Sequence, residues 1–187
     1  MLADLGSLRL RMTAVSAGDI DLMRALNADE AVMRNLTGVS ATAQQTEAEW
    51  TQRLQERSGP GRGLSYWIGW HDGAFAGWWG IGACSWDRST ANLGYRLTPS
   101  SWGMGLATEG SQALLTHAFE TVGLASVWAS TTGANLASQR VLTKLWMRYA
   151  GFEHEQCHSG PLSTPVCRTR SNAVTTTDLM TTCLTCS

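Results

Sequence analysis

Asn92-Leu93-Gly94-Tyr95-Arg96-Leu97-Thr98-Pro99-Ser100-Ser101-Trp102-Gly103-Met104-Gly105-Leu106-Ala107-Thr108-Glu109 is the stretch on which the fold turns. A strand from Thr90 to Thr98 stops at Pro99, and a short loop follows. Gly103-Met104-Gly105 then runs into a helix expected to reach about Val122, with Leu106, Gly110, Leu114 and Ala118 on one stripe. Glycines in such a loop let a ligand approach the backbone. The first N–H groups of the helix lack internal partners and sit at the positive end of its dipole. Together they suit a phosphate or pyrophosphate. Two other phosphate-binding patterns do not fit. There is no Gly-Lys-Ser/Thr, and Ala107-Thr108 stand where a dinucleotide fingerprint would continue toward its third glycine.

Outward from this stretch the chain alternates in type. Leu8 to Met12 has strand period, Ser16 caps a short helix to about Asn27, and Asp29 caps another to Leu36. A polar helix runs from Thr42 to near Arg57, closed by the breaker Ser58-Gly59-Pro60-Gly61-Arg62-Gly63. Leu64 to His71, Asp72-Gly73 and Ala74 to Cys84 read as a hairpin. Beyond the central helix come a strand (Ala125 to Thr131), a helix (Asn135 to Trp146), a strand (Met147 to His154) and a Pro-flanked strand (Val166 to Arg170). The expectation is one mixed α/β domain over residues 1–170, followed by a Thr-rich tail, 171–187, without a function of its own.

Composition narrows the classes. The 187 residues carry 14 basic and 15 acidic side chains, which removes the basic footprint of a nucleic-acid binder. No apolar run is long enough to span a bilayer, and the N-terminus lacks the order of a signal peptide, so a soluble cytoplasmic protein is expected. Five scattered cysteines read as reduced thiols, and the lone Cys183-x-x-Cys186 pair calls for no metal. Nine tryptophans are mostly core material, but adjacent Trp78 and Trp79 must point to opposite faces of one strand. One of them therefore lines a second surface: a pocket, a helix packing or a subunit contact.

The order of these motifs resembles the GNAT family of N-acetyltransferases, in its RimJ/RimL-like branch. Four stretches carry the resemblance: Leu8 to Arg11, Glu30 to Arg34, Gly94 to Glu109, and Asn135 to Leu145. The resemblance implies a central, mostly antiparallel mixed sheet flanked by helices, with a splayed strand pair that admits acetyl-coenzyme A as cosubstrate. It implies pantetheine pairing along Arg96, Leu97 and Thr98, and a pyrophosphate seat at Trp102, Gly103, Met104, Gly105, Leu106, Ala107 and Thr108. Trp102 replaces the family's frequent Arg or Gln. By the same resemblance Asn135 contacts the cosubstrate and Arg140, with Lys144, helps the 3′-phosphate. Asn135 also reads as a helix N-cap, and the two cations as solvated surface charges. Ser138 is the candidate general acid toward the departing thiolate, since Leu142 stands where many members have a tyrosine. Trp146 replaces a common glycine.

The implied reaction is attack of a neutral amine on a thioester, with the Leu97 N–H as oxyanion donor. Neutralising a lysine at pH 7 costs roughly 4–5 kcal/mol, an α-amine only about 1. Without an obvious strong base, a protein or peptide N-terminal α-amine is the favoured acceptor. Glu155 and Glu153 are candidate bases, with Glu109 and His71 behind them; Glu109 reads as structural, and His71 and His117 as surface residues. A small-molecule amine such as a polyamine or antibiotic is the alternative acceptor. A non-catalytic acyl-CoA-binding module is the alternative class, kept open by Leu142 and Trp146. No nucleic-acid or membrane partner is expected, and a homodimer stays open.

Overall fold

Asp72 and Gly73 both adopt positive φ, 50° and 79°. A two-residue hairpin turn with that geometry matches the twist of the strands it joins. It connects β3 (Ser65–His71) to β4 (Ala74–Ala83), as the Asp-Gly signal predicts. The computed structural model describes residues 3–57, 63–84, 89–153 and 166–172. Around the hairpin it places β1 (Leu5–Gly6), β2 (Arg11–Ala14), β5 (Thr90–Leu97), β6 (Ser126–Thr132), β7 (Arg148–Glu153) and β8 (Val166–Asn172). These form one sheet in the order β1-β2-β3-β4-β5-β6-β8-β7. Every neighbouring pair is antiparallel except β5 and β6.

Helices cover both faces. On one side lie α1 (Ile20–Ala28), α2 (Glu30–Met33) and α3 (Ala43–Arg57), whose buried residues Met23, Leu26, Val32 and Trp50 pack with Ile68 and Trp78. On the other lie α4 (Leu106–Thr116) and α5 (Leu136–Lys144), packing Leu106, Leu114 and Leu142 with Trp67, Trp79 and Leu93. Trp78 and Trp79 thus serve opposite cores, and the second surface is a helix packing. Asp29 caps α2 as expected, accepting from the Ala31 and Val32 N–H groups, although α2 ends at Met33 and not at Leu36; Thr42 and Gln45 cap α3 reciprocally. Ser16, expected to cap the first helix, instead precedes a 3₁₀ turn (Ala17–Asp19), and α1 begins at Ile20.

Three further expectations need correction. Residues 7–10 form a turn closed by Ser7 N–H on the Leu10 carbonyl, and the strand starts at Arg11, leaving Leu8 95% exposed. Arg9 is drawn instead to Glu109, a hundred residues away. His117 is buried: its Nε2 lies 2.8 Å from the Gly63 carbonyl and its ring meets Trp67 edge-on, in a π-helical turn (His117–Thr121) that ends the α4 segment. β8 pairs through Asn172, opposite Ser126, so the sheet extends two residues past the boundary placed at 170. Residues 173–187 lie outside the described residues.

Trp146 is explained by helix termination. It sits at φ 58° just past α5, its N–H on the Thr143 carbonyl while Met147 N–H reaches back to Leu142. That is the left-handed stop in which glycine is favoured; here the indole simply projects outward, 64% exposed.

Candidate active site

β5 and β6 pair only at Thr90–Asn92 with Ser126–Trp128. Beyond that point β5 follows β4 to Leu97 while β6 follows β8 to Thr132, so the two strands part into a cleft. Peptide groups alternate along a strand. Thr98 N–H donates to Ala76 on β4, which turns the Leu97 N–H and carbonyl toward the cleft. The Trp102 indole N–H takes that carbonyl at 3.0 Å, and Ser101 N–H takes the Thr98 carbonyl. Within Arg96–Thr98, the backbone group left facing the cleft is the Leu97 N–H.

At the end of β5, residues Trp102 to Gly105 are exposed while Leu106 is fully buried. Gly103 and Gly105 have φ of 74° and 81°, and a Cβ at Gly103 would meet nothing within 4 Å. Gly105 is the N-cap of α4 and has no side chain to satisfy the first N–H groups. Open space and unpaired donors coincide here, as a pyrophosphate seat requires. The loop is held from beneath by Arg9, whose Nη1 donates to the Met104 carbonyl at 3.0 Å and whose Nη2 pairs with Glu109 at 2.6 Å.

Glu109 is committed to this brace. Burial would raise its pKa, but hydrogen bonds from Ser7 Oγ, Arg9 N–H and the Arg9 guanidinium outweigh that and hold it below its ordinary value near 4.5. A carboxyl depressed on folding contributes stability above its unfolded pKa and loses it as pH falls through the lower folded value. Glu109→Gln should therefore melt below wild type at neutral pH, and the gap should close on acidification below about 4.5; melts across pH check this, and a gap constant with pH contradicts it.

Asn135 caps α5, its Oδ1 accepting from Ser138 N–H at 3.1 Å. Ser138 Oγ lies 2.9 Å from the Tyr95 hydroxyl across the gap between α5 and β5. Burial pushes the Tyr95 phenol up to about 12, against the opposing effect of the Ser138 hydrogen bond, so the pair keeps both protons at neutral pH.

The acetyltransferase (GNAT) domain profile matches residues 9–148. This chain belongs to the GNAT family. The FsC-acetyl coenzyme A-N(2)-transacetylase of Aspergillus fumigatus is 32% identical over 110 residues, 55% of this chain and 45% of that relative. The chain thus matches less than half the length of that curated relative. Among solved structures, a RimL ribosomal L7/L12 α-N-protein acetyltransferase in complex with coenzyme A superposes with TM-score 0.75 at 17% identity, covering 91% of this chain and 98% of that one. RimJ of Mycobacterium smegmatis in complex with CoA-disulfide gives 0.75 at 21%, covering 92% and 88%.

Within this GNAT domain the sequence-predicted residues divide. Leu97, the 102–108 segment, Asn135 and Ser138 border the cleft or its glycine-loop end, whereas Arg140 and Lys144 are exposed on α5. Leu142 is buried in the core. His71, expected at the surface, is instead partly buried at the β3–β4 hairpin, because its Nδ1 lies 3.2 Å from the Arg9 carbonyl. Glu153 ends β7, and Glu155 lies outside the described residues. The side chain missed was Tyr95. Strand alternation from Leu93 and Leu97 puts it on the α5 face, which was the available signal. No helix among the described residues is long and apolar enough to cross a membrane, and no cluster of three metal-ligating side chains occurs among them.

Proposed function

We propose that this protein is an acetyl-CoA-dependent N-acetyltransferase acting on a primary amine, with an N-terminal α-amine as the favoured acceptor class. The observation that carries the reading is the parting of β5 from β6, which leads along the Leu97 N–H to the open N-terminus of α4. The GNAT profile and the relative named for transfer from acetyl-coenzyme A support it.

In this reading the N–H groups of Gly103 to Thr108 hold the pyrophosphate, with Asn135 orienting the start of α5 and Arg140 reaching a peripheral phosphate. The Leu97 N–H supports the thioester oxygen as negative charge develops on it. As the amine nitrogen bonds to the carbonyl carbon and the C–S bond breaks, Ser138 gives its proton to sulfur, Tyr95 supports the serine by donating to its Oγ, and solvent then returns a proton to the serine. The surplus amine proton leaves to Glu155, Glu153 or water. Glu109 is tied to Arg9 and so is not free to act as the base, which favours an amine of low pKa. The protein is soluble and cytoplasmic in this reading, with no metal, nucleic acid or membrane involved.

Thiol release from acetyl-CoA, followed with purified protein against N-terminal peptides, polyamines and aminoglycosides, tests the reading. Transfer to α-amine peptides above the rate of hydrolysis is expected. Acetyl-CoA binding without transfer to any amine would establish the non-catalytic module instead.

A further inference from the structure

Arg96 lies between the two β5 residues, Tyr95 and Leu97, that face the cleft and α5, but its own side chain goes to the opposite face of the sheet. There Nη1 donates to Asn27 Oδ1, and the guanidinium carbon lies 5.5 Å from the Trp78 ring centroid. A second guanidinium, Arg53 on α3, stacks over the same ring at 5.0 Å and over Trp50 and Tyr66 at 5.2 and 5.1 Å. The carboxylate that answers them is Glu49, which pairs with Arg53 at 2.6 Å and accepts from Asn27 Nδ2 at 3.3 Å. Two cations thus share one anion.

The hydrogen-bond inventory is lopsided in the same direction. Nine buried side-chain atoms among the described residues have no hydrogen-bond partner, and four belong here: Arg96 Nε, Arg53 Nη1, Trp78 Nε1 and Trp50 Nε1. All four are donors. Buried donors without acceptors are costly, and a buried cation more so. Burial accordingly lowers the Arg96 pKa to about 10, with Glu49 opposing that and Arg53 adding to it.

Position supplies the function. With the proposed pyrophosphate seat at the start of α4, the α1 and α3 face of the sheet is the side left for an amine to approach the cleft, and the Arg96 side chain stands on that face one residue from Leu97. We propose that the acceptor is an amino compound bearing a carboxylate, and that Arg96 and Arg53 hold this carboxylate so that the amine meets the β5–β6 cleft. This deepens the acetyltransferase reading and rests on it. The chemistry is an amino acid, or a peptide with an acidic first residue; two guanidiniums repel a polyamine.

The test compares matched acceptors in the thiol-release assay, each rate expressed per neutral amine because glycinamide has the less basic amine: glycine against glycinamide, and a peptide beginning Glu against its Gln counterpart. Wild type should favour the carboxylate member of at least one pair about tenfold or more in kcat/KM, the range of a hydrogen bond to a charged group. Arg53→Met should bring that ratio close to unity, and Arg53→Lys should keep part of it, with acetyl-CoA affinity retained in both by calorimetry. Calorimetry of N-acetylglycine and N-acetylglutamate against their amides, in the presence of coenzyme A, reads the same preference without turnover. Equal use and equal binding of charged and neutral members by wild type overturns the proposal. Absence of acetyl-CoA binding overturns the underlying reading instead, so the two failures are distinguishable.

Discussion

Ser138→Ala should lower kcat by about 10²-fold while leaving acetyl-CoA affinity nearly unchanged. Loss of a positioned acid costs roughly 10²–10⁴ in rate, and a thiolate already leaves tolerably, so the low end applies. The hydroxyl is wanted as charge develops on sulfur, which places the loss in kcat rather than in binding. Tyr95→Phe removes the partner 2.9 Å from Ser138 Oγ and should cost less, about tenfold, because the serine keeps its own proton. Single-turnover rates on both variants check the order. Ser138→Ala that loses affinity at unchanged kcat makes the serine a positioning group; Tyr95→Phe that is the more damaged of the two makes the phenol the acid.

Trp79→Ala should produce the largest loss of stability. The indole is fully buried between the sheet and α4, and its N–H donates to the Ala107 carbonyl at 3.2 Å. A Cβ at Gly110 would stand 2.5 Å from the ring, so the helix backbone lies directly on it. Truncating a buried tryptophan costs about 3–5 kcal/mol, which in a chain of this size lowers Tm by on the order of 10 °C. Because Ala107 belongs to the first turn of α4, acetyl-CoA affinity should fall as well. A Tm within about 2 °C of wild type would contradict the packing described here.

What was legible in the sequence was what neighbours in the chain decide. Asp72-Gly73 fixes its own turn, Asp29 and Thr42 cap their own helices, and Gly105 opens α4 at a φ that suits glycine. The strand order's central feature, β5 parting from β6, came through the family resemblance rather than through periodicity. What stayed hidden depends on residues far apart. The strand expected at Leu8 gives way to a turn because Arg9 finds Glu109 across the fold. His117 is buried because Gly63 approaches it, and Tyr95 meets Ser138 across 43 residues. The cluster proposed to hold the acceptor was hidden for the same reason: Arg96, Asn27, Glu49 and Arg53 come from three elements, and each alone reads as an ordinary polar residue of its strand or helix.

The central claim is that the open N-terminus of α4, at the end of the β5–β6 cleft, seats acetyl-CoA. Titration calorimetry of acetyl-CoA into wild type and Gly105→Val, each shown to be folded by its melt, tests it most directly. Gly105 holds φ 81° with its nearest outside atom, an Arg9 nitrogen, 3.5 Å from the Cβ position, so valine adds a branched group beside the N–H donors. The account predicts saturable binding near one equivalent to wild type and binding weaker by at least about tenfold, roughly 1.4 kcal/mol, in the variant. Equal affinity in the two proteins, or no binding to wild type, would contradict it.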